Sequence, residues 1–138
     1  MRLDSRRAAA LLLALLALSP GCESRPERHP KSVQTLVLSP SLPPTTLEIS
    51  PISAVEVVLP GPDAGTGLVW EIVSNNNRVL EQMAPLSTSE GPGGTRQTRA
   101  SFYALKVGRS TLRFFLLRPS STEQVPAARC EVTVRVKD

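Results

Sequence analysis

Between residues 33 and 136 the chain is a succession of short runs in which apolar and polar side chains alternate, separated by Gly, Pro, Ser and Asn. A period of two puts every second side chain on one face of an extended strand, and the i, i+3, i+4 spacing of an amphipathic helix is not found. Eight strands are predicted: VQTLVL (33–38), TLEIS (46–50), SAVEVVL (53–59), LVWEIVS (68–74), RVLEQMA (78–84), QTRASFYAL (97–105), STLRFFLLR (110–118) and ARCEVTVRV (128–136). Val55, Val57 and Leu59 form one apolar face, Leu112, Phe114 and Leu116 a second, and Cys130, Val132, Val134 and Val136 a third. Phe115 and Leu117 share a side with Arg113, so that strand is expected to be covered on both faces. Seven or eight strands, with turn signals about every 8 to 12 residues, predict an all-β, immunoglobulin-like antiparallel β-sandwich, with an open barrel as the alternative. Trp70 is expected to fill the core between the sheets.

Ahead of the strands the pattern changes twice. MRLDSRR is basic, Ala8–Leu18 is an unbroken apolar run, and small residues follow up to Cys22, the order of an export signal. Eleven residues span about 16 Å as a helix, too short to cross a bilayer core of about 30 Å. Cys22 directly after Gly21 resembles the lipobox of bacterial lipoproteins, although Pro20 and the early Leu18 depart from it. That resemblance implies cleavage of residues 1–21, a lipid on Cys22 and an exported, membrane-anchored protein. Glu23, where an inner-membrane signal would carry Asp, points to the outer membrane if the source has two. Residues 22–31, with ESRPERHPK, are charged and broken by proline, the composition of an extended tether. The domain is then expected over 32–138.

Composition narrows the function. The 138 residues hold 16 Lys plus Arg against 12 Asp plus Glu. Loss of Arg2, Arg6, Arg7 and Asp4 with the leader leaves 13 against 11, so the net charge falls from +4 to +2. Five aromatics (Trp70, Phe102, Tyr103, Phe114 and Phe115) are too few for a base-stacking nucleic-acid binder. The two cysteines are Cys22, assigned to lipid, and Cys130, expected as a buried and inert thiol, so no disulfide is expected. His29 is the single histidine and falls in the tether, which leaves no Ser/His/Asp or Cys/His arrangement and no zinc ligand set. Neither an enzyme nor a cofactor is expected. GPGGT (91–95) lacks the Lys and the following helix of a phosphate loop.

Three connections stand out as rich in Gly, Pro and Thr: PGPDAGTG (60–67), SEGPGGT (89–95) and RPSSTEQVP (118–126). Alternate connections of a sandwich collect at one end, which would set these three side by side as a binding edge.

Over about Thr46–Val136 the chain resembles the chagasin-like inhibitors of papain-type cysteine proteases. Their first loop reads NPTTG, two further residues and Trp; here Pro62, Asp63, Ala64, Gly65, Thr66 and Gly67 lead into Leu68, Val69 and Trp70. Their second reads G-x-G-G, met by Gly91, Pro92, Gly93 and Gly94, and their third reads Arg-Pro-Trp, met by Arg118 and Pro119 but closed by Ser120. The resemblance implies a reversible, non-covalent inhibitor that wedges the three loops into a papain-like protease cleft, and a monomer is expected. It implies that the first loop enters the catalytic centre with Thr66 near the thiol, that the second lies along the substrate side by main-chain contact, and that the third braces the leaving-group side. Gly65 and Gly67, or Gly91–Gly94, would equally serve as plain turns, and Arg118 would equally brace its own loop. An aromatic anchor missing at Ser120 forgoes about 2 to 4 kcal/mol at an interface, and Asp63 adds a charge that the family lacks. The alternative is an envelope-tethered Ig-like binding or assembly module without inhibitory activity. Arg99, Arg113 and Arg135 are expected on solvated strand faces.

Overall fold

The computed structural model describes residues 28–119 and 125–138; the leader, Cys22 and Ser120 fall outside them. Nine strands among the described residues form two sheets that enclose one core, the all-β sandwich expected. The first sheet runs β1 (Val33–Val37), β3 (Ala54–Pro60), β7 (Arg96–Ala104), β5 (Leu80–Gln82), and β6 (Ser87–Glu90) also pairs with β7. The second runs β2 (Thr45–Ile49), β9 (Ala128–Val136), β8 (Gly108–Leu117), β4 (Val69–Ser74).

Most pairs are antiparallel, but β1 is parallel to β3 and β2 to β9. The chain path requires it. The 38–44 connection crosses from the first sheet to the second and 50–53 crosses back, so direction reverses twice and β3 returns beside β1 in the same sense. The run 78–84 also differs from expectation: it yields only Leu80–Gln82, because the backbone N–H groups of Val79 and Leu80 donate to Asn76 O at 3.0 and 2.9 Å and hold the preceding residues in a turn. Ser87–Glu90 pairs with β7 without any apolar pattern, through its backbone and a 2.8 Å contact between the Thr88 and Thr98 hydroxyls.

The predicted apolar faces meet between the sheets. Val55, Val57 and Leu59 from one side and Leu112, Phe114, Val132 and Val134 from the other are fully buried, each of the larger side chains stabilising the fold by about 1.5 to 3 kcal/mol. Phe102 and Phe114 meet edge to face across the core, with centroids 6.4 Å apart. Trp70 is buried in the same cluster. Cys130 is buried too, and loss of hydration pushes its thiol up to about 11.

The outer faces carry cross-strand ion pairs: Arg99 with Glu56, Arg113 with Glu131, and Arg135 with Glu48. These arginines are exposed, as expected, but each is paired. Phe115 is half-buried beneath the Arg129 guanidinium, 5.4 Å from its ring centre, and Leu117 is half-buried as well. Residues 28–31, within the segment expected as a tether, touch the domain. Arg28 bridges to Glu81 at 3.1 Å and lies 5.3 Å over the Tyr103 ring, and Lys31 N donates to Ile52 O at 2.8 Å.

Candidate functional site

Strand register brings the three Gly/Pro-rich connections to one pole. β3 ends at Pro60 opposite Gln97, and β6 ends at Glu90 opposite Arg96, so residues 61–68 leave the first sheet beside residues 91–95. β4 starts at Val69 opposite Leu117, the last residue of β8, so the same connection lands on the second sheet beside Arg118 and Pro119. The first connection therefore spans the gap between the sheets, with the glycine-rich one on one flank and the Arg-Pro one on the other. Ala127 N donates to Leu116 O at 2.8 Å where the third connection returns to β9. Ser120 lies outside the described residues.

The first connection is clamped at its base and cross-braced at its tip. Gly61 N donates to Arg96 O at 2.8 Å, and the Thr98 hydroxyl donates to Gly61 O at 2.7 Å. A hydroxyl has one proton, so the contact between Thr88 and Thr98 must be a donation from Thr88. From the second sheet, the Trp70 indole N–H donates to Pro60 O at 2.9 Å. At the tip, the Thr66 hydroxyl donates to Asp63 O at 2.9 Å and accepts from Leu68 N at 3.3 Å. Asp63, Ala64, Gly65, Thr66 and Gly67 are exposed, with Pro62 half-buried beneath them.

The second connection is a single 3-10 turn, Pro92–Gly94, closed by Gly94 N to Gly91 O at 3.2 Å and by the Thr95 hydroxyl to Pro92 O at 3.0 Å. Gly93 and Gly94 take φ of 76° and 78°, a conformation that side chains disfavour, and the space where a Cβ would stand is open. Their exposed backbone is thus available to a partner at close range. Arg118 and Pro119 are exposed.

Thr98, Thr88 and the Trp70 N–H position the site but were not foreseen in these roles. The available signals were a polar Thr98 in phase with core-facing Ala100 and Phe102, and a buried indole that needs an acceptor. Around the pole, over 60–68, 90–96, 117–119 and 125–128, the charges are Asp63 and Glu90 against Arg96 and Arg118. Among the described residues these charges cancel, and Glu123 of the third connection, outside them, adds one acid; the pole is braced and rich in presented backbone. Such an edge suits shape-based docking into a groove.

No family model and no curated protein matches the chain. Solved structures do. The cysteine protease inhibitor EhICP2 from Entamoeba histolytica superposes with a TM-score of 0.64 at 19% identity, over 79% of this chain and 100% of that one. Amebosin gives 0.59 at 16% identity, over 75% and 98%. PbICP-C, solved in complex with falcipain-2, gives 0.51 at 16% identity, over 83% and 95%. The similarity extends over nearly the full length of each, and it is a similarity of fold.

Proposed function

We propose that this chain is a chagasin-like, reversible and non-covalent inhibitor of papain-like cysteine proteases that seats the 61–68, 91–95 and 118–120 connections as a wedge in the active-site cleft. One observation carries the reading: strand register gathers the three motif-bearing connections at a single pole, with the first held between the other two. The names of the similar structures support it, since EhICP2 is a cysteine protease inhibitor and PbICP-C was solved bound to falcipain-2.

The residue chemistry fits occlusion rather than turnover. The tip of the first connection is held by its own Thr66 brace and its base by Thr98 and Trp70, so little freedom is lost on docking. A tight, internally bonded turn also presents no extended peptide bond to an attacking thiolate. Because its hydroxyl is engaged within the loop, Thr66 acts by holding the tip in shape. Gly93 and Gly94 let a groove wall approach the backbone for strand-like pairing. With Ser in place of the aromatic at position 120, binding rests on the first two connections, and affinity is expected below that of a three-anchor wedge.

The leader and Cys22 complete the proposal: export, a lipid on Cys22, and the domain held at a membrane surface, monomeric. The intact mass of the mature N-terminus tests that part. The inhibitor reading is tested by titrating the chain against papain with a fluorogenic peptide substrate. Slowed hydrolysis that recovers fully on dilution is the expected result. Undiminished hydrolysis at tens of micromolar chain would overturn it and leave a binding module on the same scaffold.

A further inference from the structure

The pole opposite the wedge collects the molecule's surplus positive charge. Lys31, Arg78, Lys106, Arg109 and Lys137 lie at the strand ends and connections there and are all exposed, with Asp138 the one acidic residue at the tip. The acids nearest to it, Glu48 and Glu81, are already paired with Arg135 and Arg28. Backbone bonds tie these segments into one surface: Lys31 N to Ile52 O at 2.8 Å, Ile52 N to Ala104 O at 3.1 Å, Leu105 N to Val79 O at 2.8 Å and Lys137 N to Ile49 O at 2.9 Å. Asn76 Nδ2 adds a bond to Arg109 O at 3.3 Å.

Two apolar side chains stand among these cations where water would disfavour them. Ile52 is 42% exposed and Val107 is 52% exposed, each at the tip of a short connection. Ile52 also takes φ of 64°, a costly conformation for a β-branched residue, and is held in it by backbone bonds on both sides. Exposed apolar tips ringed by Lys and Arg match the two layers of a bilayer surface, acyl boundary and anionic headgroups.

The chain enters at this same pole, through Arg28 and Lys31. Five residues separate Cys22 from Arg28, six steps of chain that reach at most about 20 Å when extended. A lipid on Cys22 would hold this surface, and not the wedge, within reach of the membrane. The geometry points to a docking face for an anionic lipid surface, built from Lys31, Arg78, Lys106, Arg109 and Lys137 around Ile52 and Val107. Docking there turns the three-loop edge outward, away from the membrane.

The test places the full chain, isotope-labelled, in lipid nanodiscs that carry a paramagnetic headgroup. One set holds phosphatidylcholine alone, and the other holds about one third phosphatidylglycerol. Broadening of the Ile52 and Val107 amide signals should increase in the anionic discs, while Gly65 and Gly93 stay sharp. Reversing Lys31, Lys106 and Arg109 to Glu should remove the increase, each cation contributing about fivefold to the docked population. Because these positions are exposed and remote from the wedge, papain inhibition by the same variant should be unchanged. Equal broadening in the two lipid sets, equal broadening at the two poles, or an increase that survives charge reversal would overturn the inference, whatever the papain result.

Discussion

Thr98 sits where fold and site meet. It is 2% exposed, faces the core in phase with Ala100 and Phe102, and spends its single proton on Gly61 O. Thr98→Val keeps the shape but leaves that carbonyl and the Thr88 hydroxyl without a partner, a loss of about 1 to 3 kcal/mol. The urea midpoint should fall accordingly and papain inhibition should weaken with it, whereas Thr98→Ser should recover both. Cys130 makes a different prediction at the same scale. Burial raises its pKa from 9.0 to about 11, so between those values the folded chain holds a proton that the unfolded chain has released. Stability from this group is intact below 9 and is lost as pH rises towards 11. Comparing urea midpoints at about pH 8 and about pH 10.5, the native chain should lose more than Cys130→Ala, in which every other alkaline titration remains. An equal loss in both would show that the thiol is not shielded.

At the scale of elements, legibility followed the source of each element's stability. β3, β8 and β9 are held by alternating apolar faces, and their residues announced them: Val55, Val57 and Leu59, then Leu112 and Phe114, then Val132 and Val134. β6 is held by backbone pairing and one hydroxyl contact, so the letters STSE gave no warning of it. The parallel edges of β1 and β2 depend on which sheet each segment joins, information that resides in the partner strands. The same division applies to the site. Its glycines, prolines and Arg118 were readable as motifs, but the clamp from Thr98 to Gly61 links residues 37 positions apart and exists only once β3 and β7 are in register. The second connection yields a sharp test of its own. Gly93→Trp meets open space, so its cost is that of a left-handed backbone at one residue, about 1 to 2 kcal/mol. The melting temperature should drop by roughly 5 to 15 °C, leaving the chain folded at room temperature, while papain inhibition disappears, because the indole would stand where the cleft wall must approach. Retained inhibition would place the 91–95 connection outside the contact.

Across the whole molecule, strands separate two poles with different physics. The ten residues of β8 set them about 30 Å apart, several times the screening length of about 8 Å in physiological salt, so each responds to ions independently of the other. Among the described residues of the wedge pole, Asp63 and Glu90 offset Arg96 and Arg118, so attraction there is expected mainly from shape, backbone pairing and desolvation. At the other pole, five exposed cations face one acid. Raising the salt to about 0.5 M shrinks the screening length to a few ångströms and should strip the anionic-disc effect from Ile52 and Val107. The same change should alter the papain inhibition constant by less than about threefold, since the charges of that pole nearly cancel, with Glu123 the single surplus acid. Inhibition that collapses with salt would mean that individual charges, Asp63 or Arg118 foremost, hold the protease, and Asp63→Asn and Arg118→Gln would then identify which. Salt-insensitive inhibition beside salt-sensitive docking would establish that one small sandwich carries two independent surfaces, one reading shape and the other reading charge.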